Sequence, residues 1–465
     1  MITSSSSPGS VVLAWNNIYL DVVRRIGGAP GPLARIGGLM HLAMYEAVNR
    51  LTPAAHYPAL IDDNLLSLPT AGMPDPATSA AYAACYALTT AVEDYVTTTK
   101  QMQGGVLNPF DPFQVHPAAD PHTLGLAVNT GAVTTIDTAA SEAYGKAIAE
   151  GVLKAYPADT GLSMDVDPPL DPTPGEWRET GSGPALTPQW GTVPLFLLAS
   201  QPATDYLPTT IPNNLLSYPA LLASPLYAEQ VAEVKLLGEA HAAARTPEQT
   251  EIAFFWANDL NGTSKPPGQL YTIAQDVAKQ QGTPQNLLNT ARLFAMVGTA
   301  MVNASIVAWQ AKYFNPSAQS PLRLWRPETA IQLADTDGNP STAADPTWQP
   351  LSATVSGTRF SPNFPAYVSG HSTFGAAWAV VMQAFYGRDD ISFTATTEDP
   401  HAFRDENGIR RTRHFSSFTQ AALENGRSRV YLGVHYQFDA NGGYEIGTKV
   451  GEDTAKVFAD VPRQG

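Results

Sequence analysis

The chain is expected to be mainly α-helical, and three features of the sequence point that way. Apolar and alanine-rich stretches recur with helical spacing, and strand-like alternation bounded by hairpin turns is scarce. Proline is concentrated in separate segments and does not permeate the helical runs. Residues 11–51 have helical spacing on both sides of a glycine- and proline-rich break at 27–32, with Met40, Met44 and Val48 one turn apart. Residues 77–101 and 136–156 are alanine-rich and predict two further helices. Between about 156 and 226, proline recurs too often for a helix or a central strand, as in DPPLDPTPGEW and GPALTPQWG. The tryptophans there and the run VPLFLLA make a packed, wrapping segment the expectation. From Tyr227 onward helices are predicted at 227–245, 247–258, 286–312, 372–386 and 416–427, with a last one from about 436. Thr246 is the expected N-cap of the second of these, followed by proline at the first helical position. Residues 313–368 and 387–412 are loop-rich, and no internal repeat of fixed period is visible.

With 465 residues, 44% hydrophobic and only 15% charged, the chain can bury a large core and is not of disordered composition. Its net charge of -15 argues against nucleic acid as a partner and against a polybasic membrane anchor. The lone cysteine, Cys85, permits neither an internal disulfide nor a thiolate metal cluster, and is expected to be a small buried residue. No stretch is expected to approach the length needed to span a bilayer, so a soluble protein is predicted. MITSSSSPGSVVLAW lacks the pattern of an ordinary secretory signal, and cytoplasmic and exported locations both stay open.

Three stretches of the C-terminal half carry chemistry: LWRP with Arg326, FPAYVSGHS with Ser369, Gly370 and His371, and SRVYLGVH with Arg429 and His435. Two arginines offer planar, permanently charged forks suited to a tetrahedral oxyanion. Ser369 and Gly370 precede a helix-forming run, whose free N–H groups and positive end would face the same anion. Asp439 lies four residues after His435, where a carboxylate could fix the imidazole tautomer or simply cap the last helix. His371, beside the anion-binding turn, is then the candidate general acid–base. The other histidines show no paired metal spacing.

This order of RP, SGH and SRxxxGVHxxxD resembles the signature of the phosphatidic acid phosphatase type 2 superfamily, which includes soluble acid phosphatases and vanadium-dependent haloperoxidases. AWNNIYLDVVRR, GGLMHLAMYEAVNRL, PGEWRETGSGPALTPQWGTVPLFLL and EVKLLGEAHAAARTPEQTEIAFFW look like the soluble, bacterial-type haloperoxidase branch, so the likeness covers about residues 11 to 460. It implies two four-helix-bundle-like groups with long loop-rich connections. The first would be an N-terminal half at 11–155, followed by a wrapping segment at 156–226. The second would be a catalytic bundle at 227–460 with the site at one end.

The resemblance further implies a vanadate cofactor bonded by His435, in a site that phosphate or sulfate can also occupy, and no haem. Arg326, Arg429, Ser369 and the Gly370 amide would hold the vanadate oxygens, with His371 as acid–base. Hydrogen peroxide, a halide and a small organic substrate would be the partners, giving a hypohalous acid equivalent, and homodimers are common in such relatives. The family's lysine two turns before the RP motif falls here on Gln319. Lys312, in a Trp-x-x-Lys context with Trp309, is expected to fill the role through a loop inserted after it, the alternative being substitution by Gln319 or Arg323. Phe364 and Trp309 are candidates for a halide pocket, with chloride and bromide both open. The alternatives to a haloperoxidase are a soluble acid phosphatase or phosphotransferase using a phosphohistidine at His435, and a vanadate-free homologue doing acid–base chemistry on an organic substrate.

Overall fold

A computed structural model describes residues 7–52, 57–102, 136–157, 173–180, 185–208, 218–314 and 323–459. The N-terminal part runs through α1 (Ser10–Ile26), α2 (Pro30–Arg50), α3 (Pro76–Met102) and α4 (Thr138–Ala155). The rest contains α5 (Tyr218–Leu222), α6 (Pro225–Leu237), α7 (Pro247–Ala257), α8 (Lys265–Gln280), α9 (Leu287–Tyr313) and α10 (Pro327–Gln332). It ends in α11 (Gly370–Tyr386), α12 (Phe418–Tyr431) and α13 (Gln437–Val457). A short antiparallel ladder, β1 (Phe393–Ala395) with β2 (Arg413–Phe415), lies between α11 and α12. The protein is mostly helical, as its apolar spacing predicts, with 60% helix and 4% strand.

Helix α9 is the spine of the molecule. One side packs on α2 of the group α2, α3 and α4, and the other on α11 and α13, which α12 and α7 complete. Nearly every residue from Thr290 to Tyr313 is buried, as a helix enclosed on all sides requires. Its length and apolarity correct the expectation that no stretch approaches bilayer-spanning length. By composition α9 qualifies, yet 94% of its most apolar window is covered by the protein's own helices. The described parts of the proline-rich region pack on the same helix. Trp190 Nε1 donates to Ser305 Oγ at 2.8 Å, and Asn303 bonds both backbone groups of Phe196.

Several element ends differ from the sequence prediction, each for a local reason. The break between α1 and α2 falls on Gly27 and Gly28, both at positive φ, and a Cβ on Gly28 would sit 1.8 Å from Tyr95 Oη. Helix α6 stops at Leu237 and does not run to 245. Gly238 caps it where the chain passes so close to Gly433 that a Cβ would lie 2.5 Å from that Cα. Helix α8 is absent from the sequence expectation; it opens on Pro266-Pro267-Gly268, residues that disfavour a helix interior. Proline in the first turn costs a helix nothing, since those N–H groups have no internal partner. Helix α7 begins as expected, with Thr246 and Gln249 closing a reciprocal capping box.

Candidate active site

The predicted residues converge at one end of the C-terminal bundle, carried there by helix termini. Lys312 is in the last turn of α9, Arg326 is the N-cap of α10 and Ser369 the N-cap of α11. Gly370 and His371 begin α11, Arg429 lies in the last turn of α12, and Asp439 in the first turn of α13. Helix α11 thus starts two residues earlier than its sequence suggests. It draws the SGH tripeptide into its positive end, and α12 runs far enough to include Arg429. These groups meet at a cavity of about 650 Å³. Gly370, His371, Arg429 and His435 form part of its lining, with Trp309, Phe364 and Phe374 among its apolar walls. Arg326, Lys312 and Ser369 stand fully buried behind that surface.

His435 sits in the turn before α13. Its Nδ1 is 2.7 Å from Asp439 Oδ2, which also accepts the Tyr436 amide at 3.1 Å, so one carboxylate both caps the helix and orients the ring. Both readings of Asp439 hold at once. Arg326 Nη1 points at His435 Nε2 from 3.0 Å. A guanidinium only donates, so Nε2 carries the lone pair and Nδ1 the proton. Burial, and then the Arg326, Lys312 and Arg429 cations, keep the imidazole neutral by holding its pKa well below the usual value. Burial pushes Asp439 the other way, up to about 7, against the pull of Lys312, the Tyr436 amide and Arg326.

Arg429 is paired through Nη2 with Asp259 Oδ2 at 2.6 Å, and Asp259 Oδ1 lies 3.8 Å from His371 Nε2. Burial alone would raise the Asp259 pKa, but Arg429, His371 and Lys265 outweigh it and hold the carboxylate below its usual range. His371 Nε2 also faces the Ala257 carbonyl at 3.2 Å, which leaves Nδ1 as the basic nitrogen. Burial and then Arg429 lower the His371 pKa to about 4. Sequence reasoning passes over Asp259 and the neighbouring Lys265. The motif ANDLNGTSK carries no spacing that marks them, and their roles arise only where α7 ends against α11 and α12.

Lys312 is brought to the constellation but arrives saturated. Its Nζ donates to the carbonyls of Pro365 at 2.6 Å, Ala366 at 3.1 Å and Val368, tying α9 to the loop before Ser369. Burial and then Arg326 push its pKa well below that of an exposed lysine, while three acceptors, each needing a proton, favour the ammonium form. Gln319 lies outside the described residues. Arg323 gives its backbone carbonyl to the Trp177 amide and is not part of the cavity lining. Trp309 and Phe364 do form one wall, with ring centroids 5.0 Å apart.

What remains unpaired defines what the site can hold. Among the described residues, Arg326 Nη2 and both Nε and Nη1 of Arg429 are buried without a partner, a costly state for cationic donors. A Cβ on Gly370 would fill open space beside the helix end, meeting only the Trp309 ring at 3.6 Å. Around one imidazole lone pair the protein therefore gathers unspent N–H donors and positive charge, which suits a compact oxyanion and not a metal cation.

Residues 292–464 match the family model described as the VCPO second helical-bundle domain. The vanadium chloroperoxidase of Curvularia inaequalis is 26% identical to the chain, over 94% of this chain and 80% of its own length. A bacterial vanadium-dependent iodoperoxidase structure superposes with a TM-score of 0.71 at 22% identity, covering 97% of this chain and 96% of that one. A holo-type bacterial vanadium-dependent chloroperoxidase superposes with a TM-score of 0.65 at 13% identity, covering 98% and 99%.

Proposed function

We propose that this chain, which matches the family model of the VCPO second helical-bundle domain over residues 292–464 and shares the fold of vanadium haloperoxidase structures, is itself a vanadium-dependent haloperoxidase. It oxidises halide with hydrogen peroxide, in the balance X⁻ + H₂O₂ + H⁺ → HOX + H₂O, and halogenates organic substrates. The observation that carries this reading is the set of orphaned guanidinium nitrogens on Arg326 and Arg429 around the His435 lone pair. When bound, vanadate would supply a Lewis acid that activates peroxide without changing oxidation state.

The chain's own residues account for the rest. His435 offers Nε2 as the bonding nitrogen, with Asp439 keeping the proton on Nδ1; the Nε2 lone pair accepts from Arg326 Nη1 at 3.0 Å and would be given up to the bound group. Arg326, Arg429 and the Gly370 amide surround the oxygens, and Ser369 sets the helix end that aims the amide. Lys312 adds positive charge and braces the 365–368 loop. His371, neutral at working pH and flanked by Asp259, exchanges the proton that the reaction consumes. The Trp309 and Phe364 rings strip water from the halide on one wall of the cavity.

The test is iodide and bromide oxidation by purified protein with hydrogen peroxide, with and without orthovanadate, followed as trihalide absorbance. Vanadate-dependent turnover that phosphate competes away is expected. Hydrolysis of p-nitrophenyl phosphate, inhibited by vanadate and without halide oxidation, would replace this reading with phosphoryl transfer at His435.

A further inference from the structure

Hydrogen peroxide and a halide need on the order of 100 Å³ between them, a few water volumes. The cavity above the cradle holds about 650 Å³, a size suited to an organic ligand. Its walls are largely apolar, lined by Trp309, Phe364, Phe374, Leu186, Phe360 and Pro362. The ionised groups on that wall oppose the sign of the protein as a whole. Against a chain charge of -15, the lining among the described residues contains Lys265, Arg359 and Arg429 but a single carboxylate, Asp259, which Arg429 already pairs.

Arg359 is the cation best placed to receive a ligand. It lies on a tight hairpin in which Ala353 bridges Arg359 and the Thr354 amide donates to the Thr358 carbonyl at 2.9 Å. Nη1 is tethered to the Leu351 carbonyl at 2.5 Å, which holds the guanidinium in place. No hydrogen bond within the described residues draws on Nε or Nη2, the edge that matches a carboxylate. Arg359 makes no hydrogen bond to the His435, Arg429 or Asp259 cluster.

We propose that this chamber binds an aromatic, largely apolar substrate bearing one carboxylate, with the acid group on Arg359 and the ring toward Trp309 and Phe364. Halogen transfer to the bound ring then follows Ar–H + X⁻ + H₂O₂ + H⁺ → Ar–X + 2 H₂O. Halide is oxidised, peroxide is reduced, a carbon–halogen bond replaces carbon–hydrogen, and the ring proton leaves to water. The proposal deepens the haloperoxidase reading and rests on it for the transfer step, though not for binding.

The probes are 6-hydroxy-2-naphthoate and its methyl ester, titrated calorimetrically into orthovanadate-loaded protein without peroxide. The acid is expected to bind roughly 10-fold more tightly than the ester through its charge-assisted hydrogen bonds to the guanidinium. Arg359→Gln should abolish that preference, and Arg359→Lys should restore part of it. In turnover, Arg359→Gln should raise KM for the acid by about the same factor, with kcat and the triiodide rate measured without organic substrate unchanged. Thermal melts of both variants show whether the hairpin still folds, and Arg359→Lys carries the test if Arg359→Gln does not. Equal binding of acid and ester by the wild type, or an acid preference that survives Arg359→Gln, overturns the proposal. Absence of triiodide formation would instead count against the peroxidase reading, because the binding result is obtained without turnover.

Discussion

His41 and His435 are both buried imidazoles between helices, one in the N-terminal group and one in the C-terminal bundle, and their surroundings are opposite in kind. His41 contacts Asn16 Oδ1 at 3.3 Å, between the rings of Tyr271 and Phe294, and Asn16 in turn bonds Gln275. Every one of those neighbours is neutral, and burial alone lowers its pKa, to about 3. His435 is lowered by burial and then by Arg326, Lys312 and Arg429, and around it three buried cations face the two carboxylates Asp259 and Asp439. The N-terminal network also leaves buried atoms without a partner among the described residues, His41 Nδ1 and the Tyr271 hydroxyl, but these carry no charge. The C-terminal one keeps surplus donors and charge, a deficit that an incoming anion fills.

The largest expected effect separates the two histidines directly. His435→Ala should reduce vanadate-dependent halide oxidation by about 1000-fold or more while the fold survives. His41→Leu should keep turnover per folded molecule and lower unfolding stability by roughly 1–3 kcal/mol, because Asn16 is left without its partner. Comparable losses of turnover in both variants would erase the distinction.

Acid stability sharpens the contrast. The folded pKa of His371 is about 4 and that of His41 about 3, both below the ordinary 6.5, so their stabilising contribution is complete above pH 6.5. As pH falls from there the unfolded chain takes up protons that the folded chain refuses, and stability is lost until each folded pKa is passed. For His371 the loss amounts to about 3 kcal/mol between pH 6.5 and 4. Urea titrations of His371→Gln should therefore show a slope near pH 5 smaller by about 1.4 kcal/mol per pH unit. An unchanged slope would mean that His371 is not held neutral.

The charge surplus itself can be removed. Burial lowers the Arg326 pKa to about 9, the mark of a cation held without sufficient counter-charge. Arg326→Met should lower the stability of the unloaded protein by roughly 1–3 kcal/mol, because the Phe364 and Val434 carbonyls lose their donor, and weaken orthovanadate binding by roughly 10- to 100-fold. The check is the rise in Tm on adding orthovanadate, large for the wild type and small for the variant. A variant that binds vanadate normally would show that Arg326 serves the fold instead. The smallest effect is expected for Gly370→Ala, whose Cβ meets only the Trp309 ring at 3.6 Å. Vanadate affinity should fall by about 10-fold, from crowding at the helix end, with stability changed by less than about 1 kcal/mol; vanadate affinity equal to that of the wild type would remove the Gly370 amide from the cradle.

Much of this is legible locally, because some physical constraints act within one turn of chain. The helical spacing around Met40 and Met44, the Thr246 cap and the i, i+4 relation of His435 to Asp439 are properties of neighbouring residues, and each corresponds to an observed feature. Arg326, Ser369, Gly370, His371 and Arg429 are identifiable as types that bind an oxyanion, and their order supplies the resemblance. The start of α8 is not legible in this way, since Pro-Pro-Gly breaks a helix interior but suits a first turn, and only the packing of α8 on α1, α2 and α9 decides between them.

Other features depend on distance along the chain and so belong to the tertiary structure alone. Asp259 meets Arg429 across 170 residues and Lys312 meets Val368 across 56, pairings that no local spacing encodes. Composition could specify that α9 is apolar, but whether such a helix crosses a membrane or forms a spine depends on what surrounds it. The same holds for charge. The sequence by itself determined which side chains can carry charge, whereas burial, set by helices arriving from distant segments, decided which of them are left uncompensated and therefore able to bind.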